Sequence, residues 1–315
     1  MTPLGCQWAD LRPHLRTDNH FLHDRASHDG RGVSISRRRW IAKKVARQGA
    51  AFGMVGSGAL AARNRLTKAP AVRGLMYHRF GDAARDPWCV DSREFEKQVR
   101  WLSEAGLAIS VEQLVDFVEG RANLPDGAVL LTVDDGFLSV LTEMAPILHR
   151  HGVPAVAFLT TGLLGTGGHD GEERYLTWDE AAKLPELGVT VGSHAHTHSS
   201  LGQMSVEQAQ EEGARSRELL RSRLGVDVDS FAYPFGMTPD HSPETAAALA
   251  GLGYRSVFTA MHGAIHPGAD VYSLPRVKVE GGEGLTMFKW LSRGALDLWR
   301  LFDEVGYRFQ SPDAT

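Results

Sequence analysis

Ala128-Val129-Leu130-Leu131-Thr132-Val133-Asp134-Asp135-Gly136 decides the architecture: a short run with no polar face, then two adjacent carboxylates and a glycine. A strand with one wet face alternates polar and apolar residues, whereas a strand apolar on both faces belongs to a parallel sheet covered on both sides. Similar runs recur at Val72–Met76, Val153–Leu159, Val189–Gly192, Ser230–Tyr233, Ser256–Thr259 and Val271–Val279. Helical windows separate them, and several begin with a readable cap. Asp91 precedes Glu94, Ser110 precedes Gln113, Thr177 precedes Glu180 and Ser205 precedes Gln208, each at capping-box spacing. Strand-then-helix units repeating every 30–40 residues or so require right-handed crossovers, giving a parallel sheet that is open or rolled into a barrel. Catalytic groups then belong at the C-terminal ends of the strands.

The composition of the 315-residue chain fits this class, with 43% hydrophobic and 23% charged residues. Two cysteines, Cys6 and Cys89, support neither a disulfide framework nor a zinc knuckle. The net charge of −4 conceals an asymmetry. Residues 1–70 carry 13 Lys and Arg against 4 Asp, a net of +9, and the remainder carries 21 against 34, a net of −13. An acidic body without a basic stripe argues against a nucleic-acid partner.

Residues 1–35 lack apolar periodicity and are assigned no structure. Ser36-Arg37-Arg38-Arg39-Trp40-Ile41 then precedes a small-residue run from Gly49 to Ala62, an order similar to a twin-arginine export signal, although Lys43, Lys44 and Arg47 interrupt its apolar part. Residues 1–70 are thus read as a poorly ordered basic tail with an export signal around 36–62, or as a basic amphipathic segment; residues 71–315 are read as the folded domain. Cytoplasm, periplasm and cell surface all stay open as locations. Membrane contact is expected only through the tail.

Every unusual polar cluster falls at a strand end. Asp134-Asp135-Gly136 follows one strand, Ser193-His194-Ala195-His196-Thr197-His198 a second, Pro234-Phe235-Gly236 a third, and Tyr77-His78-Arg79 the first. Two adjacent carboxylates repel in one small cavity, so each needs its own partner, and a metal ion provides one. His194 and His198 can share a face if a helical turn starts there. Two imidazoles and one carboxylate leave an open coordination position, as a catalytic divalent site requires.

With these motifs, the stretch from about Leu75 to Lys278 resembles the polysaccharide deacetylases of carbohydrate esterase family 4, the NodB-homology group. Its Thr-Phe-Asp-Asp-Gly motif appears as Thr132-Val133-Asp134-Asp135-Gly136, and its His-Ser/Thr-x-x-His motif is matched in ligand spacing by His194 and His198. Leu176-Thr177-Trp178-Asp179-Glu180 is also similar to family sequence. The resemblance implies an α/β fold, a distorted (β/α) barrel of about seven strands. It implies Asp135, His194 and His198 as metal ligands, zinc being the leading ion, and Asp134 as catalytic base. The activity implied is removal of N-acetyl groups from an N-acetylated glycan. A same-fold amidase for cyclic imides or ureides and a non-catalytic glycan-binding protein are the alternatives; a glycosidase is disfavoured, since adjacent carboxylates rarely span a scissile bond.

The chain departs from the family pattern in two places. Ala232-Tyr233-Pro234-Phe235 stands where members often carry Arg-x-Pro-Tyr, so the arginine that pairs with the base is missing there; Arg276 or Arg79 can replace it, with a surface ion pair the preferred reading for Arg79. The Phe235 N–H remains available to an oxyanion. No histidine follows His266, so the late general acid of many members is absent. Met76-Tyr77-His78 matches an early motif of the subgroup resembling poly-N-acetylglucosamine deacetylases, and an amine leaving group needs an acid, so His78 is the candidate, with a core histidine as its alternative. His196 is read as solvated or supporting, and His151, His169, His262 and His266 receive no role. Trp88, Trp178 and Tyr233 are read as core or as sugar-stacking groups, and the apolar stripe over Leu285–Phe302 as a helix packed on the barrel.

Overall fold

The computed structural model describes residues 37–58, 60, 62, 70–82, 86–167 and 173–306. Among the described residues nine strands occur in chain order: β1 Arg73–Tyr77, β2 Arg79–Phe80, β3 Cys89–Val90, β4 Val129–Val133, β5 Ala155–Leu159, β6 Val189–Ser193, β7 Ser230–Ala232, β8 Ser256–Phe258 and β9 Arg276–Lys278. Seven form one parallel sheet in the order β8-β7-β6-β5-β4-β1-β9, and β2 pairs with β3 in a small ribbon. The edges approach each other where Thr259 N–H donates to the Leu274 carbonyl (2.9 Å) and Phe258 bridges Leu274. The sheet is thus a nearly closed barrel surrounded by helices, as expected.

The side-chain period of two sorts the strands into two layers. Leu75, Tyr77, Leu131, Val133, Ala157, Leu159, Val191 and Phe231 join Phe95, Val99, Leu102 and Leu148 of the outer helices in one core. Leu130, Val156, Phe158, Ala232, Phe258 and Leu274 form the other, inside the barrel. Helix Val111–Val118 adds Val111, Leu114 and Phe117 to this inner core beside Val72 and Ala128, so it stoppers the end where the strands begin. Two glycines clear the interior: a Cβ on Gly192 would collide with the Phe158 ring, and one on Gly74 would press on the Arg276 side chain.

Ser110, Thr177 and Ser205 close the expected capping boxes. Asp91 caps its helix alone, accepting from Arg93 and Glu94 N–H, because Glu94 turns to Lys97 instead. The run Val271–Val279 is mostly loop and yields only Arg276–Lys278 as strand. The stripe over Leu285–Phe302 is not one helix: it ends at Ser292, Gly294 takes φ 88°, and a second helix starts at Arg300. Phe288, Leu291 and Ala295 are buried, but Leu298, Leu301 and Phe302 face solvent. Within the stretch read as a tail, Arg37–Gly56 is a helix that docks against Leu285–Ser292 with Ala51 buried; residues 1–36 lie outside the described residues. Among the described residues no helix is long and apolar enough to cross a membrane.

Candidate active site

The ladder between β1 and β4 continues one residue past the strand, with Asp134 N–H donating to the Tyr77 carbonyl (3.0 Å). Asp135 then flips to φ 75° and Gly136 to φ 90°. This left-handed break separates the two buried carboxylates. Asp134 meets Arg276 of β9, whose guanidinium donates through Nη1 and Nη2 at 2.6 and 2.8 Å. Arg276 is fully buried and also donates to the Thr259 carbonyl (2.9 Å) and Thr132 Oγ1 (3.1 Å), over the Phe158 ring. Burial, the largest single influence, would raise the Asp134 carboxyl; the charge and hydrogen bonds of Arg276, with the nearby His194 and His78, together outweigh it and hold the group below its usual range.

Asp135 turns to the histidines, 3.4 Å from His194 Nε2 and 3.2 Å from His198 Nε2. One ligand atom from each of Asp135, His194 and His198 lies within 4.8 Å of the others, the one such trio among the described residues. Burial opposes the Asp135 charge, yet the two facing imidazoles hold its carboxyl well below the usual range. His194 Nδ1 meets the Ala232 carbonyl at 2.8 Å, which fixes Nδ1 as the protonated nitrogen and leaves the Nε2 lone pair for a cation. A small buried N,N,O donor set with one tautomer locked fits a divalent ion.

No helical turn joins the two histidines, contrary to expectation. Ala195 (φ 62°) and His198 (φ 61°) are left-handed instead, and these two bends bring residues four apart together. Glu212, on helix Val206–Leu224, anchors the bent segment by accepting from His196 N–H (2.9 Å), Thr197 N–H (2.8 Å) and Thr197 Oγ1 (3.0 Å). His196 Nδ1 sits 2.9 Å from Thr161 Oγ1, directed to a different partner from the trio. Phe235, also left-handed (φ 61°), lays its ring edge-on to His198 at 5.2 Å.

His78 follows β1, and burial lowers it from 6.5 to about 4 against the opposing charges of Asp135 and Asp134. Its ring contacts Trp88 at 4.5 Å, and Lys278 Nζ lies over the same indole, 2.7 Å from its centroid. Trp88 is therefore the one aromatic of the three considered that borders a site residue. Tyr233 is core, and Trp178 carries Arg223 over its ring. Arg79 is no surface residue: the β2–β3 ribbon encloses it, and it forms a buried 2.6 Å pair with Asp86. Sequence reasoning missed Glu212, the Ala232 carbonyl and Lys278, since no local pattern marks a residue that acts only by reaching another element.

Residues 121–257 match the polysaccharide deacetylase family. Over 211 residues the chain is 27% identical to YxkH of Bacillus subtilis, a protein assigned to the polysaccharide deacetylases, covering 66% of this chain and 71% of that one. It is 24% identical over 213 residues to the poly-beta-1,6-N-acetyl-D-glucosamine N-deacetylase of Staphylococcus epidermidis, covering 64% and 72%. Among solved structures, IcaB from Ammonifex degensii superposes with a TM-score of 0.62 at 26% identity, covering 72% of this chain and 97% of that one. The barrel and the matched segment place residues 121–257 beside the polysaccharide deacetylases. In sequence over this stretch and in fold, the chain is similar to the polysaccharide deacetylases.

Proposed function

We propose that this protein is a divalent-metal-dependent hydrolase that removes N-acetyl groups from an N-acetylated glycan. The observation carrying the reading is the division of two neighbouring carboxylates, Asp135 to a His194/His198 pair and Asp134 to Arg276, at the strand ends of the barrel. A divalent cation, zinc in our reading, held by Asp135, His194 and His198 would polarise the acetamide carbonyl and acidify the attacking water. Asp134, kept ionised by Arg276, takes the proton of that water as its oxygen bonds to the carbonyl carbon. The Phe235 N–H donates to the oxyanion so formed. His78, protonated from solvent as the oxyanion grows, gives that proton to the amide nitrogen as the C–N bond breaks, releasing acetate and the free amine. An imidazole with weak proton affinity is a strong acid once charged, and the growing oxyanion favours its charged form.

The names of the relatives support a glycan over a cyclic imide. The test is acetate release from poly-β-1,6-N-acetylglucosamine and chitin oligomers, alongside a cyclic imide, with metal content measured on the same protein. Acetate release that chelation abolishes and a divalent ion restores is expected. Turnover of the imide alone, or none of any substrate by metal-loaded protein, would overturn the proposal.

A further inference from the structure

A second charged cluster joins helix Arg37–Gly56 to the loop that follows β9. Helix Arg37–Gly56 sends Lys44 and Arg47 inward, and both are buried. Arg47 Nε donates to Glu283 Oε1 at 2.8 Å and its Nη2 to the Lys278 carbonyl at 2.7 Å. Lys44 Nζ stands 3.4 Å from Glu280 and 3.8 Å from Glu283. Glu283 in turn accepts from Glu280 N–H at 3.0 Å, closing the loop after β9 on itself. Two cations thus face two buried carboxylates, an arrangement that is tolerated only while every partner is present.

The loop so held is the one that packs against the wall of His78. Gly281 N–H donates to the Pro87 carbonyl (3.3 Å), and a Cβ at Gly281 would collide with the carbonyls of Asp86 and Cys89, so loop and turn are in backbone contact. That turn carries Trp88, whose indole contacts both Lys278 Nζ and the His78 ring. Lys278 supplies both the carbonyl that Arg47 binds and the ammonium that covers Trp88. The Glu283 charge also reaches Tyr77, whose hydroxyl, raised first by burial, is raised further by it. Each link from Arg47 to His78 is therefore a direct contact: Arg47 to Lys278 and Glu283, the 278–283 loop to the 86–89 turn, Trp88 to His78.

We infer that Arg47 is a positioning residue for deacetylation: the N-terminal helix is a working part of the catalytic unit, and through Arg47 it fixes the Lys278–Trp88 wall that orients His78. The activity arm rests on the proposed role of His78, and the exchange arm does not.

The experiment compares wild type, Arg47→Ala, Arg47→Lys and, as a control, Phe52→Ala, all in the full chain. Phe52 lies on the same helix, exposed, with its ring 6.3 Å from Trp290, and takes no part in the ionic cluster. Amide hydrogen exchange at residues 86–90 and 278–283 is measured, together with kcat and KM on an N-acetylglucosamine oligomer and on a phenyl acetate ester. In Arg47→Ala, exchange in both segments should rise at least tenfold and the amide kcat should fall about tenfold, with KM and ester hydrolysis nearly unchanged. Arg47→Lys should recover part of each effect, and Phe52→Ala should show neither. If Arg47→Ala does not fold, Arg47→Lys reads the same quantities at smaller amplitude. Unchanged exchange at 86–90 in a folded Arg47 variant, or equal losses on amide and ester, would overturn the proposal. Wild-type protein inactive on every amide would overturn the proposed function and leave the exchange result to decide the coupling.

Discussion

Arg276 and Asp134, 142 residues apart, meet inside the barrel through two hydrogen bonds of 2.6 and 2.8 Å. The arginine that the motif after β7 lacks is replaced from β9, so the same chemistry reaches the carboxylate from another strand. A planar fork is needed for this two-point grip, and an ammonium cannot reproduce it.

Arg276→Met should leave Asp134 as a buried carboxylate without its countercharge. We expect at least a hundredfold loss of kcat and a stability loss of about 3–5 kcal/mol by urea melt. Because Arg276 holds the Asp134 carboxyl below its unfolded value, wild-type stability from this group is present above pH 3.8 and is lost as pH falls through the lower native value. In the variant that loss should begin at higher pH.

His194→Ala and Asp135→Asn should lower metal content on dialysis, whereas Asp134→Asn should keep the metal and lose several orders of magnitude in kcat. Elemental analysis beside acetate release checks this. Equal metal loss in the two aspartate variants would refute the division between them.

His78→Ala should retain metal and substrate affinity but lose rate selectively on the acetamide. A phenolate ester leaves without help, so the ester-to-amide activity ratio should rise sharply. A uniform loss on both substrates would make His78 structural.

Native His78 binds a proton only near pH 4, while the unfolded side chain does so near 6.5. Between those values the unfolded state holds more protons, so stability falls as pH drops from 6.5 toward 4. His78→Gln should flatten this part of the Tm-against-pH curve; an unchanged slope would place the titration elsewhere.

Ala195 is fully buried at φ 62°, a conformation that is cheaper for glycine. Ala195→Gly should therefore keep metal binding and raise Tm by a few degrees, equivalent to about 1 kcal/mol. A lowered Tm with intact metal binding would show that the methyl group's packing outweighs the strain.

Much of this was legible in the chain because it was local. Strands covered on both faces, the serine and threonine caps, and the placement of Asp135, His194 and His198 at strand ends all follow from short-range pattern. The left-handed residues Asp135, Ala195, His198 and Phe235 were not legible: none is glycine, and the folded surroundings impose their φ values. Arg276 could be named only as one of two possibilities, since strand register decides which arginine enters the barrel. The basic stretch around Lys44 and Arg47 read as a tail because its carboxylate partners lie some 230 residues away; charge along a sequence says nothing of charge across a fold.

β1 lies between β4 and β9 in the sheet, so the first barrel strand stays half-open until the last one docks. On the ribosome, a chain halted before residue 276 would already contain all three histidine and aspartate ligands, yet Asp134 would have no guanidinium to meet. Pairing at such long sequence separation forms late and slowly. Under the proposed function, the residues that would hold a metal are therefore complete before the pair that would deprotonate water, and the onset of hydrolysis would date the closing of the barrel.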